Sequence, residues 1–221
     1  MFNKESFVSI RNELQSHDAV LVAVSKTKPV EAIRAIYDSG HWVFGENYVQ
    51  EMVLKHSQLP KDIQWHFIGH LQTNKVKLIA PFVAMIQSVD SLKLLMEINK
   101  EGKKNERIIP CLLQIHIALE ESKFGFSYEE AEEVLNSSEL ENMEHISIKG
   151  IMGMATLTDN PQLVRSEYSR MKIFYDKIQK YKLPAADCRV LSMGMTGDYK
   201  IALEEGSNMV RIGSAIFGDR H

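Results

Sequence analysis

Apolar residues along this chain switch between a period of two and a period of 3.6, again and again, from one end to the other. Short apolar runs at residues 20–24, 42–44, 64–68, 83–88, 109–115, 146–152, 190–193 and 209–212 predict strands. Between them lie stretches of helical spacing, several with their own start and stop residues. Pro29 can open a helix that carries Ile33, Ile36 and Tyr37 on one stripe, and Gly40 can close it. Ser127 and Glu130 make a capping-box pattern ahead of Ala131, Val134 and Leu135. Asn160-Pro161 starts the longest helix, with Val164, Tyr168, Met171, Phe174, Tyr175 and Ile178 along one face. Asp198 precedes Tyr199, Ala202 and Leu203, and Gly206 marks a stop.

About eight strand signals alternating with helices predict an α/β fold, a (β/α)8 TIM barrel of parallel strands. The strands lack strict polar alternation, as expected of a sheet covered on its outer face. A doubly wound open sheet is the alternative, although it would normally hold fewer strands. Residues 2–14 read as an extra N-terminal helix, with Phe7, Ile10 and Leu14 laid against the barrel. No linker, repeat or low-complexity tract divides the 221 residues, so residues 1–221 are expected to form one domain.

Composition narrows the function classes. The chain is 44% apolar and 25% charged, ordinary for a globular protein, and its 26 basic and 29 acidic residues give a net charge of −3. That balance argues against a nucleic-acid groove, which usually carries a basic surplus. The longest apolar runs, such as residues 19–24, are far too short to span a bilayer, and Met1-Phe2-Asn3-Lys4-Glu5 has no secretory-signal character. A cytoplasmic protein without a membrane partner is expected. Cys111 and Cys188 have no Cys-x-x-Cys spacing and read as inert core thiols rather than a disulfide.

In a parallel barrel the working face lies at the carboxyl ends of the strands, so the residues there are the candidates. Alternation through Val20, Val22 and Val24 puts Lys26 on the same side, pointing into the mouth. Apolar side chains beneath it would strip its hydration and favour the neutral amine that imine formation needs. A strand-end cation reaching for water is the other reading, and Lys28, next to Pro29, is the weaker candidate. The loops after strands seven and eight, Met193-Gly194-Met195-Thr196-Gly197-Asp198 and Arg211-Ile212-Gly213-Ser214, occupy the positions where many barrels hold a phosphate. Gly194 and Gly213 would let backbone approach an anion, with Thr196 and Ser214 as hydroxyl donors. Equally, the glycines could simply make turns and Thr196 could cap a helix.

Arg211, on the strand that closes against the first, would donate to an acceptor in the mouth or pair with a carboxylate at the rim. A ring nitrogen facing it would be held unprotonated. Asn47 serves either as a helix cap with Gln50 or as a ligand contact. His66 and His70 straddle a strand end with no third ligand nearby in sequence, so no metal site is expected. His116 reads as a core or rim histidine, and Glu129-Glu130 with Glu132-Glu133 as solvated surface.

Several uncommon motifs occur in order: Ala23-Val24-Ser25-Lys26-Thr27-Lys28-Pro29, Phe44-Gly45-Glu46-Asn47-Tyr48-Val49-Gln50-Glu51, Trp65-His66-Phe67-Ile68-Gly69, Ser122-Lys123-Phe124-Gly125, Gly150-Ile151-Met152-Gly153-Met154, and residues 209–218. Together they resemble the pyridoxal phosphate homeostasis protein family, single-domain relatives of the alanine racemase N-terminal barrel. The resemblance implies a fold-type III barrel that binds pyridoxal 5′-phosphate (PLP) as a covalent aldimine (Schiff base) on Lys26. It implies that Gly194-Met195-Thr196, the Gly213 backbone and Ser214 cradle the phosphate. It also implies that Arg211 faces the pyridine nitrogen and that Asn47 belongs to the pocket. Thr196 stands where most members carry serine, keeping the hydroxyl but adding a stiffening methyl. The lead before the first strand is also shorter than in many members.

PLP chemistry relies on an electron sink that is strongest when the ring nitrogen is protonated, and an arginine partner opposes that. Racemases of this barrel type use a second domain to close the pocket and deliver a tyrosine base. Here the chain reaches His221 directly after the strand-eight loop, so an open mouth is expected. The reading is a PLP carrier acting in PLP homeostasis without a dedicated catalytic reaction. Apo PLP-dependent enzymes are its candidate recipients, and family analogy suggests a monomer. A small PLP-dependent racemase or decarboxylase is the alternative, and a lysine-dependent aldolase is disfavoured by the family match.

Overall fold

The computed structural model describes residues 2–119, 124–180 and 186–218. Helix α1 (Lys4–Ser16) leads into β1 (Val20–Val24), α2 (Val30–Tyr37), β2 (Val43–Glu46), α3 (Val49–Gln58) and β3 (Gln64–Phe67). A short 3-10 turn and α4 (Val76–Ile79) precede β4 (Met85–Val89), α5 (Leu92–Lys104) and β5 (Ile109–Ile115). Helices α6 (Tyr128–Leu135) and α7 (Ser138–Glu141) lead to β6 (Ile146–Gly153), followed by α8 (Pro161–Ile178) and β7 (Ala186–Ser192). The chain continues with α9 (Tyr199–Glu204), β8 (Met209–Ile212) and α10 (Ser214–Phe217). The eight strands are parallel and close in sequence order, with β8 returning to β1 through pairs such as Val22 with Arg211. This is the expected (β/α)8 TIM barrel with an additional N-terminal helix.

Two layers of side chains divide the core. Leu21, Ala23, Phe44, Trp65, Phe67 and Ile86 face outward, where they are buried against Ile33, Ile36, Met52 and Ile98 of the helices. The interior carries Val22, Met152 and Met209 together with polar His66, Gln87, Ser192 and Arg211, all buried. Helix α1 buries Phe7, Ile10 and Leu14, and α8 buries the whole stripe expected of it. Ser127 and Glu130 form both hydrogen bonds of the capping box. None of the described helices is long and apolar enough to cross a membrane.

Some strand bounds differ from the sequence reading, and the reasons are physical. β2 runs through Gly45 and Glu46, which pair with His66 and Phe67, while Trp42 precedes it half exposed. A strand-end carboxylate is tolerated there because Lys55 neutralises it. β7 begins at Ala186, four residues before the apolar run, because ladder bonds to β6 rather than burial hold its first half. Its Asp187 and Arg189 are exposed and pair with each other at 2.7 Å, so they hide the strand from an apolar pattern. Asn47 is not the cap of α3; that position falls to Tyr48, which makes no side-chain cap bond. Thr196 does not cap α9 either, because Asp198 occupies the cap position.

Candidate binding pocket at the barrel mouth

A cavity of about 420 Å³ opens at the carboxyl end of the strands. Lys26, Asn47, Thr196, Arg211, Gly213 and Ser214 line it, with Val24, Ile68 and Met154 as apolar walls. Lys28, the weaker lysine candidate, also lines it, as does Gly197. Gly194 is not among the lining residues. Its φ of +100° and a would-be Cβ 2.6 Å from Ala202 Cβ make glycine necessary for the turn into α9 itself. At Gly197 nothing lies within 4 Å of a would-be Cβ, which leaves open space at the cavity wall.

Lys26 stands just past the end of β1, in a β-turn closed by the Lys28 N–H donating to Ser25 O at 3.0 Å. Thr27, third in the turn, has φ +64°, the left-handed value that a type II turn requires at that position. The turn places Lys26 on the cavity side, as alternation predicts, although the strand itself has ended. Lys28 Nζ donates to Gly218 O at 3.0 Å, tying the same turn to the end of α10.

Across the mouth, Asp198 Oδ1 accepts from Met195 N at 2.6 Å and folds the loop back beneath Thr196. The Arg211 N–H donates to Gly194 O at 3.0 Å, locking that loop to β8. Below lies a polar floor. Arg211 Nη1 donates to Ser192 O at 3.0 Å and Ser192 Oγ at 2.6 Å, and Nη2 donates to Gly153 O at 2.8 Å. Ser192 Oγ donates to Gln87 Oε1 at 2.7 Å, and Gln87 Nε2 donates to His66 Nδ1 at 2.8 Å. Arg211 is therefore an interior residue of β8, with neutral oxygens as its hydrogen-bond acceptors rather than a rim carboxylate. Three of a guanidinium's five N–H groups are used in these bonds, and Arg211 is also among the residues that line the cavity. Burial lowers its pKa, yet an arginine so placed keeps its charge.

The two histidines considered as metal ligands face different surroundings. His66 sits in the floor, where burial pulls its pKa down to about 4 and keeps it neutral. His70 meets Asp90 Oδ2 at 3.0 Å and stacks on Phe124 with ring centroids 4.0 Å apart. No group of three possible metal ligands gathers among the described residues. Ser122 and Lys123 of the quoted motif lie outside the described residues. Burial raises the pKa of both cysteine thiols, Cys188 to about 11, so neither is reactive near neutrality.

Sequence reasoning missed Glu51 and Lys55, and it did not see what Glu46 does. These three side chains converge behind the Lys26 turn, Lys55 meeting Glu46 at 2.8 Å and Glu51 at 2.6 Å. The four-residue spacing of Glu51 and Lys55 is visible in the chain, but such a pair ordinarily lies on a solvated helix face.

The sequence matches the family described as alanine racemase, N-terminal domain, over residues 4–221. It is 40% identical over 204 residues to the pyridoxal phosphate homeostasis protein of Haemophilus influenzae, covering 91% of this chain and 85% of that one. PipY of Synechococcus elongatus superposes with a TM-score of 0.90 at 30% identity, over 97% of this chain and 99% of PipY. PipY has also been solved with PLP bound, and that form superposes with a TM-score of 0.86. Alanine racemase of Clostridium difficile shares the fold at 14% identity and a TM-score of 0.69, with 56% of its length covered. By sequence and by fold, this chain belongs to the alanine racemase N-terminal domain family.

Proposed function

We propose that this protein binds PLP at the barrel mouth and serves PLP homeostasis, as the names of its relatives indicate for them. The observation that carries the reading is the meeting in one cavity of an amine, two hydroxyl-bearing loops and a buried guanidinium. PLP offers a matching set of groups: an aldehyde, a phosphate and a basic ring nitrogen. Lys26 Nζ would form a C=N bond with the aldehyde carbon, the carbonyl oxygen leaving as water. Thr196 and Ser214, with the backbone around Gly213, would hold the phosphate, and Arg211 would donate to the ring nitrogen. Asn47 Oδ1 is buried without a hydrogen-bond partner among the described residues, an acceptor awaiting a donor such as a ring hydroxyl.

Arg211 supports the carrier reading. Its charge, held in place by Ser192 and Gly153, disfavours protonation of the ring nitrogen and so weakens the electron sink that amino-acid chemistry needs. Recipients would be apo-enzymes that use the same cofactor. The test is the absorption spectrum of the protein titrated with PLP, beside a Lys26→Ala variant, followed by deuterium exchange on a panel of amino acids. A Schiff-base band that disappears in Lys26→Ala, without appreciable exchange at any amino-acid α-carbon, is the expected result. A colourless wild-type protein would refute binding through Lys26, and rapid Lys26-dependent exchange would make the protein a catalyst.

A further inference from the structure

Both peptide groups that flank the Lys26 α-carbon are gripped from outside the turn. The carbonyl on one side, Ser25 O, accepts from Lys55 Nζ at 2.7 Å. The amide on the other, Thr27 N–H, donates to Glu51 Oε1 at 2.6 Å. Lys55 spends its remaining donors on Glu51 Oε1 and on Glu46 Oε1, and Glu46 Oε1 also accepts from Ser25 Oγ at 2.5 Å. An ammonium has three N–H donors, and all three of these are committed. Lys55 and Glu46 are buried, so water competes little for the bonds between them and with Ser25, while the Thr27–Glu51 bond lies at the protein surface. The array lies behind the turn, and none of its three ionisable side chains lines the cavity.

We propose that Glu51 and Lys55, braced by Glu46, are positioning residues that fix where the Lys26 amine stands in the mouth. The inference rests on the reading of Lys26 as the amine that holds PLP. With the two flanking peptide planes fixed, the φ and ψ of Lys26 are fixed, and only side-chain torsions remain to be searched. Thr27 explains why the grip is needed. A β-branched residue at positive φ is strained, and glycine or asparagine is the usual occupant of that turn position. The charge-assisted bond from Thr27 N–H to Glu51 holds the strained turn, whereas a relaxed turn would swing the amine away from the cavity. Ordinary fold stabilisation by a buried ion pair would need no contact with these two peptides.

The experiment compares wild type with Glu51→Ala, Glu51→Gln and Glu51→Asp, using two probes. PLP reports on the amine through its Schiff-base band, its rate of appearance and its pH dependence, with borohydride trapping at Lys26. Pyridoxine 5′-phosphate has an alcohol in place of the aldehyde and reports on the rest of the pocket. Glu51→Ala should weaken PLP binding by about tenfold and slow band formation, as expected when a reacting group is misplaced. Glu51→Gln should recover most of the loss, because its amide oxygen still accepts the Thr27 N–H. Binding of the alcohol should change by less than about twofold in every variant. Glu51→Asp keeps a charge beside Lys55 but shortens the reach, so several-fold loss with PLP alone is expected even if Glu51→Ala does not fold. Wild-type rate and affinity for PLP in a folded Glu51→Ala or Glu51→Asp protein would overturn the inference, as would equal losses for both probes. A wild-type protein that forms no Schiff base would overturn the proposed function as well, which separates the two failures.

Discussion

The two sides of the mouth are built by different means. On the side proposed for the phosphate, the loops after β7 and β8 are held mainly by main-chain bonds: Tyr199 N–H to Met195 O at 2.8 Å, Arg211 N–H to Gly194 O at 3.0 Å, and Phe217 N–H to Gly213 O at 2.9 Å. On the amine side, three ionisable side chains from β2 and α3 hold one turn. The contrast arises from the groups each side presents. Backbone groups and short hydroxyls bind an anion wherever the main chain runs, so a correct loop path is sufficient. A lysine has a long, freely rotating stem, so its usefulness depends on how firmly its α-carbon is held.

That contrast can be broken by substitution. The largest effect is expected for Lys55→Met, which leaves the carboxylate of Glu46 buried beside apolar atoms. Burial already raises the Glu46 pKa, with Lys55 and Ser25 pulling it back. Removing the partner should cost about 3–5 kcal/mol in a guanidinium unfolding titration. Next comes acid. His41 and His66 both have folded-state pKa values near 4, lowered chiefly by burial, while unfolded histidine takes its proton near 6.5. Acid therefore favours the unfolded chain. The stability these neutral imidazoles contribute is complete above pH 6.5 and drains as pH falls through 4, by about 3 kcal/mol for each. Unfolding midpoints measured from pH 7 to 4 should track that slope, and His66→Gln should flatten part of it.

Smaller effects sharpen the anion side. Gly194→Ala forces a Cβ to 2.6 Å from Ala202 Cβ at a φ of +100°, and about 2 kcal/mol of stability should be lost. If this loop is held by its backbone path, the variant should also bind pyridoxine 5′-phosphate less well while Glu51 variants do not. Thr196→Ala removes one hydroxyl, and calorimetry should show about 1 kcal/mol less affinity for the same probe, with thermal stability unchanged. An unchanged affinity would mean that backbone amides alone hold the anion.

Much of the barrel and its mouth is legible in the chain. Strand β1 and helix α8 emerge from period and punctuation, because burial of one face is a local property of the pattern. Lys26, Thr196, Arg211 and Ser214 stand out because they sit at or just beyond strand ends, and a closed parallel barrel collects those positions at one mouth. Gly194 reads in sequence as part of the pocket, and its glycine is explained instead by packing under α9. Asn47 reads equally as cap and as contact, and the structure removes the cap. The first half of β7 is hidden because Asp187 and Arg189 face water and pair with each other.

The alternation of periods in the chain pointed to parallel strands alternating with helices and to the strand ends where Lys26, Thr196, Arg211 and Ser214 stand, and closure of the sheet into a barrel is read from the structure. These are consequences of which faces can be buried and of how parallel strands must connect. What stands behind Lys26 follows from packing between elements. Glu46, Glu51 and Lys55 come from two elements, and a carboxylate next to a lysine on a helix looks in sequence like any solvated pair. The grip of Lys55 and Glu51 on two particular peptide groups, with Glu46 behind Lys55, arises where β2, α3 and the β1 turn pack together, a juxtaposition that no single segment encodes.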